Sequence, residues 1–221
     1  MPRRGATGER NCVLDRGEPL DIHLIRHPKT VAPRGTCYGK LDLEAAPDAL
    51  EEAATRLAPQ IPEDARIISS PQIRALSLAE RLGPVEASDA RLMEMNFGAW
   101  EGLAWDDIPR SEIEAWDADL AGYAPPGGDS LNAVSKRVIE WWDSVIEPLS
   151  APKAYPHMRA KQDDTRRPLA VVTHGGPLRL IAAHILSAPI EASMRLDIFW
   201  GQRALVRCTE HGVQITGWNL R

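Results

Sequence analysis

Residues 22–27 read IHLIRH, a short apolar run from Ile22 to Ile25 that ends on the dipeptide Arg26-His27. Two further runs of the same kind follow, from Ala65 to Ile68 and from Leu169 to Val172. Their length and their content of β-branched residues are typical of buried strands. The three runs therefore predict the inner strands of one sheet.

Helical patterns alternate with these strands. After the second run, Ser70 and Pro71 are typical of an N-cap and a first helical residue, and Gly83 of a C-terminal stop. After the third run, Gly175-Gly176-Pro177 opens another helix. Apolar residues at helical spacing predict two more, one around Leu50, Ala53, Ala54 and Leu57, and one from Leu131 to Val145. This alternation favours an α/β fold, a three-layer α/β/α sandwich around a mostly parallel sheet.

The ends and connections depart from this alternation. Residues 204–208 and 213–218 predict a terminal hairpin, and residues 1–19 a flexible tail before a single domain over 20–221. Residues 149–168 carry prolines and many charges, which indicates a polar loop. Residues 98–128 predict a helical excursion rich in aromatic residues. The excursion either packs onto the body or forms a lid over a pocket, and the two interpretations are compatible.

Composition narrows the classes of function. The chain has 221 residues, 43% hydrophobic and 26% charged, and a formal net charge of -5. A negative protein does not attract nucleic acid or acidic membranes, so an anionic substrate needs a local basic pocket. No apolar stretch is long enough to span a bilayer, and none follows Pro2-Arg3-Arg4 as in a secretory signal. We therefore expect a cytoplasmic protein, as a monomer or a homodimer, without nucleic-acid or membrane partners.

Basic side chains occur close to three predicted strand ends. Arg26 and His27 follow the first strand directly, and His174 follows the third. Arg74 lies in the first turn of the helix after the second strand. Because ligands of parallel α/β sheets bind at the carboxyl ends of the strands, these four residues are expected to converge. Helix N-termini there add backbone N–H donors, so the pattern predicts a pocket for a dianion such as phosphate.

Four strings in this order carry a family resemblance: LIRHPKT, SSPQIRALSLAE, EMNFGAWEG and VVTHGG. Over roughly residues 20–221 the chain resembles the histidine phosphatase superfamily, which has the phosphoglycerate-mutase-like fold. The resemblance implies that His27 is a nucleophile that becomes phosphohistidine. It implies that Arg26, Arg74 and His174 hold the phosphoryl oxygens, and that Glu94 is the general acid. It also implies catalysis without a metal or another cofactor.

The chain departs from the family pattern at several positions. Pro28 stands where the family has glycine after the nucleophile, so a backbone N–H is missing there. Pro33 replaces the usual asparagine, and Thr36 stands roughly where an arginine is usual, with Arg34 a candidate to compensate. The segment Cys37-Tyr38-Gly39 is expected to form another wall of the pocket.

The motif around Glu94 separates phosphatase from mutase. Mutases of this family follow the acid with Arg-His, whereas Met95-Asn96 follow it here. The segment RHPKTVAPRGTCYG resembles enzymes that hydrolyse α-ribazole-5′-phosphate, and Gly175 is a further candidate for substrate binding. The predicted substrate is a small phosphorylated metabolite. A phosphoglycerate mutase, a sugar-phosphate phosphatase and an inactive phospho-ligand-binding protein stay open as alternatives.

Overall fold

The structure, a computed structural model, describes residues 19–150, 167–209 and 211–221. The predicted tail therefore lies outside the described residues except for Pro19, and so does most of the predicted loop over 149–168.

Six strands form one sheet in the order β3-β2-β4-β1-β5-β6. Neighbouring strands among the first four are parallel, while β5 is antiparallel to both β1 and β6. The predicted inner strands correspond to β1, β2 and β4, and the predicted hairpin to β5 and β6. The sequence did not predict β3 at the edge. The strand bounds are β1 Leu20–Arg26, β2 Arg66–Ser69, β3 Val85–Ser88, β4 Leu169–Thr173, β5 Arg203–Thr209 and β6 Gly212–Leu220.

Helices cover both faces of the sheet, which confirms the predicted three-layer sandwich. Helices α1 and α2 share one apolar core with the sheet, and α4 and α5 share another with its opposite face. The helix bounds are α1 Pro47–Leu57, α2 Ile73–Leu82, α3 Arg110–Ala118, α4 Leu131–Ser150 and α5 Gly175–Ile185. Within the described residues, no helix combines the length and apolarity needed to cross a membrane.

Alternating side chains of β1 divide between the two cores. Ile22 and Leu24 belong to the core beneath α4 and α5, whereas Ile25 belongs to the core beneath α1 and α2. All three are fully buried. A strand enclosed on both faces is apolar on both, which is why its sequence forms a continuous apolar run.

Helix α2 begins later than the sequence predicts. Its first helical residue is Ile73, with Gln72 as an extended N-cap residue, rather than Pro71 after a Ser70 cap. The Ser70 hydroxyl is instead within hydrogen-bond distance of His174. Arg74 is therefore the second residue of the helix, still within the predicted first turn. The helix ends at Leu82, and Gly83 is its C-cap residue, in agreement with the predicted stop.

The excursion over residues 98–128 forms a small core together with Cys37. Cys37, Trp100 and Ile108 are the buried members of this core, and Trp105 and Trp116 stack beside them with ring centroids 5.8 Å apart. Cys37 also exchanges backbone hydrogen bonds with Leu103 and Gly102, each 2.8 Å long. The excursion is thus fastened to the segment that precedes Tyr38 and Gly39.

Candidate active site

The two predicted active-site histidines lie side by side where the parallel strands end. The backbone N–H of His27 donates to the carbonyl of Thr173 over 2.9 Å, which extends the β1–β4 ladder by one step. His174 follows Thr173 directly. The two imidazole rings lie 5.1 Å apart between centroids, and both side chains are buried. The sheet therefore holds the pair in a fixed relation.

The environment of His27 suits a nucleophile. Its Nδ1 lies 2.6 Å from the carbonyl oxygen of Pro28. A carbonyl only accepts, so Nδ1 carries the proton and Nε2 keeps its lone pair. Burial is the main cause that lowers the pKa of His27 well below its ordinary value, and Arg74 and Arg26 lower it further. The ring is therefore neutral near pH 7, as nucleophilic attack requires.

A short relay of hydrogen bonds orients His174. The backbone N–H of Gln72 donates to the Ser70 hydroxyl over 3.4 Å, and that oxygen lies 2.8 Å from His174 Nε2. The hydroxyl can donate its own proton to Nε2, and in that tautomer the imidazole proton lies on Nδ1. Among the described residues, Nδ1 is buried without a hydrogen-bond partner. In this tautomer Nδ1 is a donor available to an anion. The sequence did not identify Ser70 in this role.

Arg26 and Arg74 bring two guanidinium groups to the same place. Arg26 donates to the carbonyl of Ile198, and Arg74 donates to the carbonyls of Gly39 and Leu41 over 2.6 and 2.9 Å. The Nε atoms of both arginines are buried and have no partner in the described part of the chain. Burial lowers the pKa of both groups, and the nearby Glu94 carboxylate opposes this.

Glu94 is held through its backbone and through its carboxylate. Gln72 Oε1 accepts from its backbone N–H over 2.9 Å, and Arg137 donates to its carbonyl over 3.0 Å. The carboxylate accepts from the N–H groups of Met95 and Gly176. A Cβ at Gly176 would lie 2.2 Å from Glu94 Oε1, so any other residue there would displace the carboxylate from this place.

Glu101, in the motif EMNFGAWEG, has a structural role that the sequence did not reveal. Its carboxylate accepts four backbone N–H groups over 2.8 to 3.0 Å, from Gly39, Lys40, Leu41 and Phe97. The first three belong to the segment whose carbonyls bind Arg74. Glu101 therefore fixes the loop that positions an arginine of the site. In the sequence, only its position in the motif EMNFGAWEG distinguished Glu101 from other glutamates.

The other predicted substrate-binding residues divide into two groups. The Tyr38 ring lies 5.3 Å from the Arg74 guanidinium, and the Gly39 carbonyl binds Arg74 directly. Gly175 lies against Arg26, whose Cζ would be 3.3 Å from an added Cβ. These three residues border the catalytic cluster.

The second group does not join that cluster. Arg34 is exposed, and the Thr36 hydroxyl donates to the carbonyl of Pro33 over 2.9 Å. Within the described residues, neither Arg34 nor Thr36 makes a hydrogen bond to the five predicted catalytic residues.

Several known phosphatases are similar to this chain in sequence or in fold. Glucosyl-3-phosphoglycerate phosphatase of Mycobacterium tuberculosis is 29% identical over 178 residues, which are 76% of this chain and 75% of that protein. A solved structure of the mycobacterial glucosyl-3-phosphoglycerate phosphatase has a TM-score of 0.70 and 25% identity, and the match covers 92% of this chain and 100% of that one. A putative α-ribazole-5′-phosphate phosphatase from Escherichia coli has a TM-score of 0.75 at 22% identity, covering 91% of this chain and 97% of that one, and shares the fold.

A family model matches almost the whole described chain. The model describes the histidine phosphatase superfamily, branch 1, and it matches residues 22–221. This range contains all four quoted strings and every residue of the site. The resemblance inferred from those strings is thereby confirmed: the chain belongs to the histidine phosphatase superfamily and is a phosphoric monoester hydrolase.

Proposed function

We propose that the protein hydrolyses a small phosphorylated metabolite through a phosphohistidine on His27, without a metal ion. One observation carries the proposal. His27 is a buried, neutral imidazole whose Nδ1 proton faces the carbonyl of Pro28. The surrounding residues carry three buried nitrogen atoms that have no hydrogen-bond partner in the described residues: the Nε atoms of Arg26 and Arg74, and Nδ1 of His174. That arrangement provides a nucleophile together with donors for a phosphoryl group.

The first step transfers the phosphoryl group to the protein. The Nε2 lone pair of His27 forms a bond to phosphorus while the bond from phosphorus to the leaving oxygen breaks. Glu94 takes part in this step in its protonated form and gives its proton to that oxygen, so the alcohol departs neutral. Arg26 and Arg74 stabilise the charge on the equatorial oxygens, which is the main requirement of phosphoryl transfer.

The second step returns the enzyme to its starting state. Glu94, now a carboxylate, takes a proton from water as the water oxygen attacks phosphorus. The bond from phosphorus to His27 Nε2 breaks, inorganic phosphate leaves, and Glu94 is protonated again. Two arginines supply the positive charge in both steps. Among the described residues, no group of three or more His, Cys, Asp or Glu side chains is arranged to hold a metal ion.

Two substrates are the leading candidates. The segment RHPKTVAPRGTCYG supports α-ribazole-5′-phosphate. The 29% identity to the mycobacterial phosphatase supports glucosyl-3-phosphoglycerate, a phosphorylated sugar acid. A mutase is the weaker alternative: a 2,3-bisphosphoglycerate-dependent phosphoglycerate mutase of Buchnera aphidicola is 26% identical, over only 49% of this chain.

The test is phosphate release from a panel of phosphate esters in the presence of EDTA. The panel contains both candidate substrates, 3-phosphoglycerate and p-nitrophenyl phosphate, with His27→Ala as the inactive control. We expect release from at least one metabolite with EDTA present. A requirement for Mg²⁺ or Zn²⁺, or full activity in His27→Ala, would contradict the mechanism. Movement of phosphate between carbons of 3-phosphoglycerate without release would instead show a mutase.

A further inference from the structure

The side chain of Gln72 spans the gap between two parts of the site. It is only 2% exposed. Its Nε2 donates to the carbonyls of Gly39 and Lys40 over 2.6 and 3.3 Å, and its Oε1 accepts from the backbone N–H of Glu94 over 2.9 Å. The two carbonyls require the NH₂ group on one side, and the N–H requires the oxygen on the other, so the partners fix the orientation of the amide.

The anchor of this amide is itself rigid. Gly39 and Lys40 belong to the segment held by the Glu101 carboxylate. An added Cβ at Gly39 would lie 1.8 Å from the Met95 carbonyl, so this segment and the one after Glu94 run in close contact. Gln72 thus connects a fastened loop to the backbone of the general acid.

The side chain of Gln72 does not cap the helix that it precedes. It is the N-cap residue of α2, yet its side chain makes no capping hydrogen bond. Its backbone carbonyl accepts the N–H groups of Ala75 and Leu76, which any residue type would do. The buried amide therefore has a use outside local helix formation, and that use is the bond to Glu94.

The neighbouring arginine depends less on Gln72. Arg74 shares the Gly39 carbonyl with Gln72, but it also donates to Leu41 over 2.9 Å. Loss of the Gln72 amide would leave Arg74 with both acceptors, whereas the backbone N–H of Glu94 would lose its partner. The two groups should therefore respond differently when the amide is removed.

We propose that Gln72 is a positioning residue that holds Glu94 in reach of the leaving oxygen of the substrate. The proposal rests on the proposed role of Glu94 as general acid. Small displacements of a catalytic group are costly, since about 1 Å can reduce a rate by roughly 10²-fold. Displacement of the general acid slows only those reactions whose leaving oxygen needs a proton. A change in how strongly the phosphorylation rate depends on the leaving group therefore indicates that Glu94 has moved.

The test compares two substrates in Gln72→Met, which has similar volume but no amide. Single-turnover phosphorylation is measured with an alkyl phosphate and with p-nitrophenyl phosphate, whose leaving group departs without a proton. We expect a loss of about 10- to 100-fold on the alkyl phosphate and a much smaller loss on p-nitrophenyl phosphate. The affinity for orthovanadate, which binds as a phosphoryl mimic, should stay close to that of the wild type.

Gln60→Met is the matched control, because Gln60 bonds to Arg203 and to the Arg56 carbonyl on another part of the protein. It should leave the ratio of the two rates unchanged. Three results in Gln72→Met would overturn the proposal. These are equal losses of phosphorylation rate on both substrates, a loss of vanadate affinity as large as the loss of rate, and phosphorylation rates equal to those of the wild type. If Gln72→Met does not fold, Gln72→Asn, too short to reach both partners, is measured with the same criteria. Absence of phosphohistidine in the wild type would instead refute the proposed function.

Discussion

The Nδ1 atom of His27 lies 2.6 Å from the carbonyl oxygen of Pro28, its neighbour in the chain. This contact fixes the tautomer and leaves Nε2 as the nucleophilic atom. It also explains how proline is compatible with a position where the family has glycine. Proline lacks the backbone N–H, but it keeps the carbonyl, and the carbonyl is the group that His27 uses.

Pro28→Ala should therefore retain the rate of phosphorylation, since alanine presents the same carbonyl. The free energy of unfolding should fall by about 0.4–1 kcal/mol, because alanine gives the unfolded chain more conformational freedom. Single-turnover kinetics and urea denaturation measure the two effects. A large loss of rate in a folded variant would show that the proline ring itself orients His27.

Glu94→Gln removes the acid while keeping the shape of the side chain. We expect the phosphorylation step on an alkyl phosphate to slow by roughly 10²-fold or more. The same step on p-nitrophenyl phosphate should slow much less, because nitrophenolate needs no proton. Single-turnover measurements are required, since Glu94 also acts in the second step. Equal losses on both substrates would mean that Glu94 orients the site without donating a proton.

Glu101→Leu tests the loop that holds Arg74. Hydrogen bonds to a charged group contribute about 1.5–3 kcal/mol each and do not add fully, so we expect the variant to lose of the order of 3 kcal/mol of stability. Urea denaturation is the measurement. Glu114→Gln is the control, because Glu114 forms an exposed pair with Arg110 on one helix turn and should change stability by less than about 1 kcal/mol. Similar results for the two variants would refute the assigned role of Glu101.

Buried histidines make stability depend on pH. Burial is the main cause that lowers the pKa of His23 to about 4, and it also lowers the pKa values of His27 and His174 well below 6.5. Below about pH 6.5 the unfolded chain binds protons that the native state does not. The free energy of unfolding should therefore fall as pH decreases, by about 1.4 kcal/mol per pH unit for each such histidine.

Urea denaturation at a series of pH values between about 5 and 7 measures this slope. His23→Gln should reduce this slope by the contribution of about one proton, which is about 1.4 kcal/mol per pH unit. It should leave phosphatase activity in place, because His23 lies outside the site. A stability that does not change over this range would show that these histidines bind protons equally in the native and the unfolded state.

Much of the fold was predictable because the inner strands are apolar on both faces. β1, β2 and β4 were found from such runs, and the strand ends then located His27 and His174. β3 was not found, because three of its four residues are exposed at the sheet edge and only its first residue, Val85, is a large apolar residue. The start of α2 was misplaced because the hydroxyl of Ser70 contacts His174, and a sequence pattern cannot show that contact.

The supporting residues of the site were the least predictable part. Gln72, Glu101 and Arg137 act through backbone groups of distant segments. Every residue type offers a backbone carbonyl, and every type except proline a backbone N–H. A hydrogen bond to such a group therefore requires no particular residue at the partner position, and the sequence shows no complementary pair. Arg34 became a candidate through its charge, and the structure leaves it exposed, so its role in substrate binding stays a prediction.

The most direct measurement is chemical trapping of the intermediate. The protein is mixed briefly with ³²P-labelled substrate, quenched in alkali, which preserves phosphohistidine, and digested for mass spectrometry. We expect one phosphate on the peptide containing His27, absent from His27→Ala and longer-lived in Glu94→Gln with p-nitrophenyl phosphate. Phosphate on a serine, on a cysteine or on a different histidine, or no labelled protein during active turnover, would refute the proposed mechanism.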